Sequence, residues 1–348
     1  MMRLRSYGFV LGCLLALCAC SREEPAGNGC ITIGFSAQAP ETKASGNAAD
    51  GGKIVVDGSG NPDLIIALVN SSDNIVAWYP HEFGTTGNTY TATHGDHTAS
   101  TPADASTITI SGPGSGTYTV YAVANTAGLD ATRTSLAAAT TLTQLEAITL
   151  SVAGDAQPSF TNMPLSAKGT LSVNASGSGQ VDLALLRVVA KVNLTFENKT
   201  GAALNLYDCS VTLYAMNPSA GYLFPRENDM VKNVSRNLLL SGSSPLAIAD
   251  NAQTPLTPKL VFPSTAPDQT VGRRYLCDIS FKTSAGGETL SFTGLPVHDS
   301  RSADIQAVER NKSMNIRTVI SKKQTEYEVS FNFEVCTWEE VTQNIEFD

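Results

Sequence analysis

The sequence predicts an all-β protein, two antiparallel β-sandwich domains with one or two short helices in the first. Three observations carry this expectation. Apolar and polar residues alternate at period two in many short stretches, as at Ile31, Ile33, Phe35 and Ala37, the pattern of half-buried strands. Glycine and proline, 28 and 16 of 348 residues, cluster with serine and asparagine between those stretches, where they supply turns. Hydrophobic residues make up 42% and charged residues only 16%, which excludes general disorder. At about 150 residues per domain the chain is long enough for two cores. No repeat of about 20–50 residues is visible, which argues against solenoids and propellers.

The N-terminal residues address the compartment. Arg3 and Arg5 precede the apolar run 9–19 and then Cys20, the layout of a secretory signal, residues 1–19. The run is shorter than the roughly 20 apolar residues a membrane-spanning helix needs. Leu17-Cys18-Ala19-Cys20 looks like a bacterial lipobox, with Cys20 as the lipidation site; an ordinary signal cut near Ala19 is the alternative. Acyl chains on Cys20 would hold the protein on the outer membrane without spanning it.

Residues 20–43 follow as a lipidated propeptide that carries a polar tether and the first strand. The N-terminal domain is expected over 44–175. Strands are predicted at 63–70, 74–79, 88–94, 106–111 and 117–125, then at 163–165 and 169–173. Between these sets, Leu136, Thr140, Leu142, Leu145 and Ile148 recur near the helical period, which predicts the short helices within 131–149. The C-terminal domain is expected over 176–348. It opens with the apolar stretch 182–196 and continues with strands at 207–215, 259–263, 274–283, 288–292, 314–321 and 327–335.

No constellation supports catalysis, a cofactor or a metal site. His94-Gly-Asp-His97 lies in a loop pattern without a third ligand cluster, and solvated loop residues explain it better than a metal. Gly112-Pro-Gly-Ser-Gly116 and Ala175-Ser-Gly-Ser-Gly179 match neither a phosphate-binding loop nor a nucleophile elbow and read as turns. Trp78 and Tyr79 could stack on a sugar, although a core pair is the simpler reading. A net charge of −9 without a basic patch argues against a nucleic-acid partner. Past the signal, no Cys-x-x-Cys occurs, so Cys30, Cys209, Cys277 and Cys336 are expected as buried thiols, with one disulfide among the last three as the alternative.

Several segments together resemble the fimbrillin family, the lipoprotein-derived subunits of type V pili. Gly116-Thr-Tyr-Thr-Val-Tyr-Ala-Val-Ala-Asn125 looks like the family's strand ending in Ala-Asn, and Met163-Pro-Leu-Ser166 resembles its Pro-Met-Ser-Gly-type turn. Leu186-Arg-Val-Val-Ala-Lys-Val192 is similar to the strand that opens its second domain. Val308-Glu-Arg-Asn-Lys-Ser-Met-Asn-Ile316 matches its Arg-Asn-x-x-Tyr pattern, except that Met314 replaces the aromatic. The resemblance implies transthyretin-like sandwiches and a structural subunit of a cell-surface fimbrium that polymerises and supports adhesion and biofilm. It also implies other pilus subunits and a trypsin-like processing protease as partners.

Family members lose their first strand to such a protease after a basic residue, which here is Lys43. Its removal takes away Ile31, Ile33 and Phe35 and leaves an apolar groove with unpaired backbone groups. A donor strand is available in the C-terminal segment, where Val341, Gln343, Ile345 and Phe347 alternate with Thr342, Asn344, Glu346 and Asp348. Insertion into a neighbour makes a head-to-tail contact that builds a filament; pairing of 341–348 within its own domain is the alternative. A monomeric or anchor lipoprotein that binds glycan or host protein is the competing function.

Overall fold

The computed structural model describes residues 30–37, 54–58, 61–80, 83–84, 91–94, 107–111, 113–226, 230–269, 272–298, 303–323 and 326–337. Its first half contains β1 (Cys30–Ala37), β2 (Leu64–Asn70), β3 (Ile75–Tyr79), β4 (Thr91–His94), β5 (Thr107–Ser111) and β6 (Gly116–Ala124). Helices α1 (Asp130–Ala138) and α2 (Leu142–Glu146) follow, then β7 (Thr149–Ser151), β8 (Leu165–Val173) and β9 (Gly179–Arg187). Eight of these strands form one sheet in the order β3-β2-β6-β8-β9-β1-β5-β4.

Local chemistry explains the elements. Leu64–Val69 is apolar at every position and buried at every position, so β2 is covered on both faces. Leu136 of α1 and Leu145 of α2 belong to the same apolar cluster as β2 and are fully buried. The Thr141 side chain caps α2 by accepting from the Gln144 amide, a bond that satisfies one of the free N–H groups of the first turn. The Gly/Ser-rich segment between β8 and β9 is a turn: the Asn174 side chain accepts from the Ser176 and Ser178 amides at 3.0 and 2.9 Å. Gly177 completes it at a φ of 79°, where other residues are strained.

The second half runs through β10 (Ala190–Lys199), β11 (Leu204–Leu213), β12 (Ala220–Tyr222), β13 (Leu238–Ser241), β14 (Leu246–Ile248), β15 (Gln253–Pro255) and β16 (Lys259–Val261). The short pieces β17 (Ser264–Thr265), β18 (Asp268–Gln269) and β19 (Gly272–Arg273) come next. The chain continues with β20 (Leu276–Lys282), β21 (Leu290–Pro296), β22 (Ala307–Val308), β23 (Lys312–Lys323) and β24 (Glu326–Thr337). One sheet has the order β15-β10-β23-β24, with β16 also on β10; the other has the order β13-β11-β20-β21, with β14 also on β11. Their apolar faces share one cluster that includes Phe196, Phe281 and Phe333.

The all-β class and the two short helices agree with expectation. Several details differ. Of residues 163–165, expected as a strand of their own, only Leu165 is in a strand, and it opens β8, which runs without a break through 169–173. Residues 182–196, expected as a single strand, are the end of β9 and the start of β10, broken at Val188 and Val189. The two apolar clusters part between Val189 and Ala190. Leu223, Phe224 and Phe262 also cross back to the first cluster. Two pairs, β1 with β9 and β10 with β23, run parallel rather than antiparallel. In each pair the strands are far apart in sequence, so no hairpin turn dictates their direction.

A buried arginine ties the halves together. Arg310 Nη1 donates to Ser166 Oγ at 3.1 Å and to the Leu223 carbonyl at 3.2 Å. Its Nη2 donates to the carbonyls of Tyr222 and Phe224 at 3.1 and 3.2 Å. Beside it, Arg187 Nη1 donates to Asn311 Oδ1 at 2.9 Å, and the Asn311 amide donates to the Val189 carbonyl at 2.9 Å. The planar fork of a guanidinium can meet several carbonyls at once, which a lysine ammonium cannot reproduce. Pairing of β12 with β7 secures the same seam.

A second polar cluster joins α2 to the sheet. Glu146 accepts from the Tyr121 hydroxyl at 2.6 Å and from Lys168 Nζ at 2.9 Å. Burial pulls the Glu146 carboxyl upward, but these two hydrogen bonds and the charges of Lys168 and Arg226 outweigh it. The carboxyl is held below its ordinary value of 4.5. Because the folded value lies below the unfolded one, the stabilisation is full above pH 4.5 and is lost as pH falls through the folded value.

Two outcomes follow for stability. Replacing Arg310 by alanine leaves buried carbonyls without this donor, and should cost about 2–4 kcal/mol in urea denaturation, with Arg310→Lys recovering only part. Urea midpoints measured from pH 6 down to pH 3 should fall less steeply for Glu146→Gln than for the unsubstituted chain.

Candidate functional site: the slot of the first strand

Strand β1 occupies an interior position of the eight-stranded sheet. On one side it runs antiparallel to β5, from Cys30 opposite Ser111 to Gly34 opposite Thr107. On the other it runs parallel to β9, from Ile31 beside Gly179 to Ala37 beside Leu185. Both backbone edges of β1 are therefore committed, and each neighbour depends on it for one of its own ladders.

The side chains follow the period of two. Ile31 and Ile33 are both 0% exposed, next to Ile110 and Ile108 of β5, and Phe35 packs partly buried against the same cluster. Burying an isoleucine contributes about 1.5–3 kcal/mol, so these two alone are a large share of what holds the strand. Leu183 and Leu185 of β9, each 2% exposed, continue the apolar row, with Leu183 beside Phe35 in register.

The opposite face is polar. Thr32 lies between Thr109 and Gln180, and Gly34 between Thr107 and Asp182. A Cβ built on Gly34 would overlap the nearer carboxylate oxygen of Asp182 and sit 3.3 Å from its Cγ. The Asp182 carboxylate thus lies across the bare backbone of β1. Sequence reading singled out Ile31, Ile33 and Phe35 but missed Asp182. The signal was the isolated Gly34 inside a strand pattern, which marks a close approach.

The other sequence-singled positions, Cys20, Lys43, Val341, Gln343, Ile345 and Phe347, lie outside the described residues. Trp78 and Tyr79 are each only 6% exposed, so they form part of the core, not a sugar-stacking surface. None of Cys30, Cys209, Cys277 and Cys336 is in a disulfide; Cys209 and Cys277 are buried as expected, whereas Cys30 is exposed and Cys336 half-buried, because they sit at the ends of β1 and β24. Burial pushes Cys209 and Cys277 up to about 12, leaving both unreactive at neutral pH. Among the described residues, no three His, Cys, Asp or Glu side chains are placed to hold a metal.

The model for the fimbrillin-A associated anchor proteins Mfa1 and Mfa2 matches residues 82–344. The chain belongs to this Mfa family. No curated protein sequence matches it. Solved structures share the fold: one from Parabacteroides distasonis, described as a cell-adhesion candidate, has a TM-score of 0.56 at 12% identity over 92% of this chain and 100% of its own. A similarly described protein from Bacteroides eggerthii has a TM-score of 0.53 at 16% identity over 91% and 98%. The fimbrilin FimA of Porphyromonas gingivalis has a TM-score of 0.50 at 12% identity over 91% and 99%. As an Mfa-family member the chain is a fimbrial subunit or anchor rather than an enzyme. It acts at the cell-surface fimbrium with other fimbrial subunits.

A polar side chain at the Ile33 position should expose how far the fold relies on β1. Ile33→Asn should lower stability by about 3–5 kcal/mol, combining lost burial with an unsatisfied amide. Ile33→Val should cost about 1 kcal/mol, and thermal melts of the two variants measure the difference.

Proposed function

We propose that this Mfa-family protein is a structural fimbrial subunit that polymerises when β1 is replaced by a strand from a neighbouring subunit. The observation that carries the reading is the interior position of β1 with Ile31 and Ile33 at 0% exposure. Withdrawing such a strand leaves two facing backbone edges and a row of apolar pockets, a site that an extended strand fills with hydrogen bonds and side chains together. Lys43 follows β1 closely in sequence, so a trypsin-like cut there releases the strand together with Cys20. Residues 341–348 carry the matching alternation and serve as the donor. Before the cut, acyl chains on Cys20 hold the precursor on the outer membrane; in the finished fimbrium the subunit supports adhesion and biofilm formation.

The family description favours a second reading, since it names anchor proteins. An anchor keeps Cys20 and β1 and ends the fibre at the membrane. N-terminal sequencing of the surface form separates the two readings, because a chain starting at Ala44 is a processed subunit and one starting at Cys20 is an anchor.

Trypsin-treated protein should give ladders that survive denaturant on gels, and deletion of 341–348 should abolish them. Ladders unchanged by that deletion would remove the donor role from this segment.

A further inference from the structure

We propose that Asp182 is the specificity-determining residue of the β1 slot, reading the charge of the incoming strand at its central outward position. The inference rests on the strand-exchange reading above and deepens it. Along the slot, β9 turns Gln180, Asp182 and Ala184 toward the outer face, and β5 supplies Thr107, Thr109 and Ser111. Asp182 is the one charged group among these six. The native occupant carries Gly34 at this height, so no side chain of its own meets the carboxylate.

The sequence of the donor segment fits the same rule. Ile31, Ile33, Phe35 and Ala37 are four alternating positions, and so are Val341, Gln343, Ile345 and Phe347. A shift by one residue would turn the apolar face outward, and a shift by two would leave one core position of the slot without a partner. Laying four positions on four in the direction of β1 sets Asn344 at the place of Gly34. Laying them in the opposite direction sets Asn344 there as well. An asparagine amide can donate to the Asp182 carboxylate, whereas Glu346 or Asp348 at this height would place like charges side by side. Asp182 is exposed and can rotate away from a larger side chain, so it discriminates by charge more than by size.

The test has two arms. In the uncleaved full-length chain, Gly34→Glu should lower the folding equilibrium constant about fivefold relative to Gly34→Gln, the scale of like charges facing across a strand pair. Asp182→Asn should remove that difference, and raised salt should shrink it. In the ladder assay, Asn344→Glu should reduce polymer yield about fivefold relative to Asn344→Gln, and combining it with Asp182→Lys should restore the yield. A Gly34→Glu loss that persists undiminished beside Asp182→Asn overturns the assignment, as does an Asn344→Glu yield equal to the unsubstituted one. If the unsubstituted protein forms no ladders, strand exchange fails, and the uncleaved-chain arm alone still decides whether Asp182 reads charge at the slot.

Discussion

The structure depends on a strand that is locally weak and globally indispensable. Strand β1 has eight residues and no hairpin joining it to either partner, since β5 and β9 lie far along the chain. Such a strand gains little from local contacts and must be held by what surrounds it. It is held by two ladders and by Ile31 and Ile33, sealed in the core. An interior strand that is not wired to its neighbours by short turns can be exchanged without unthreading any other element. A strand inside a hairpin could not be. The same arrangement makes the first core sensitive to whatever occupies that position.

The seam between the halves is built on the opposite logic, with polar groups doing what apolar packing does elsewhere. Arg310 reaches from the approach to β23 into carbonyls of the segment 222–224 and the Ser166 hydroxyl of β8. Burying a cation is costly unless its donors are satisfied, and this geometry satisfies them with the backbone of 222–224 from the second half and the Ser166 hydroxyl from the first. Leu223 and Phe224 sit in the first cluster, and Phe224 meets Tyr121 edge-on at 5.2 Å. The clasp therefore adds directional hydrogen bonds to the apolar contacts that Leu223 and Phe224 make at the same seam.

Much of this was legible in the residues. The alternation at 31–37 gave the buried face of β1, and the 3.6-residue spacing gave α1 and α2. Partner choice was not legible: period-two patterning states which face is buried but not which strand lies alongside, so the parallel ladders to β9 and β23 came as additions. Strand β9 was only half seen because its exposed Gln180, Asp182 and Ala184 dilute the pattern, and its end is a break at Val188-Val189, two apolar residues with no turn signal. For Arg310, the resemblance marked the Arg-Asn pair, yet its four acceptors lie far away in sequence, beyond any local signal. At the slot, the apolar knobs were found and Asp182 was not, because a charged residue on a strand reads as solvated surface until Gly34 is seen beneath it.

The break at Val188 and Val189 also decides how the molecule carries tension. β9 passes through these two residues directly into β10, which lies parallel to β23, and β23 returns as β24. A pull on the N-terminal end of whatever occupies the slot is thus opposed by a pull from β10 on the C-terminal end of β9. For two parallel strands those forces act along the strand axis in opposite directions, so the bonds of the ladder share the load instead of peeling one by one. The condition holds for any strand laid in the slot in the direction of β1. Mechanical strength along this path then rests on the seven pairs from Ile31–Gly179 to Ala37–Leu185, beside the antiparallel ladder to β5.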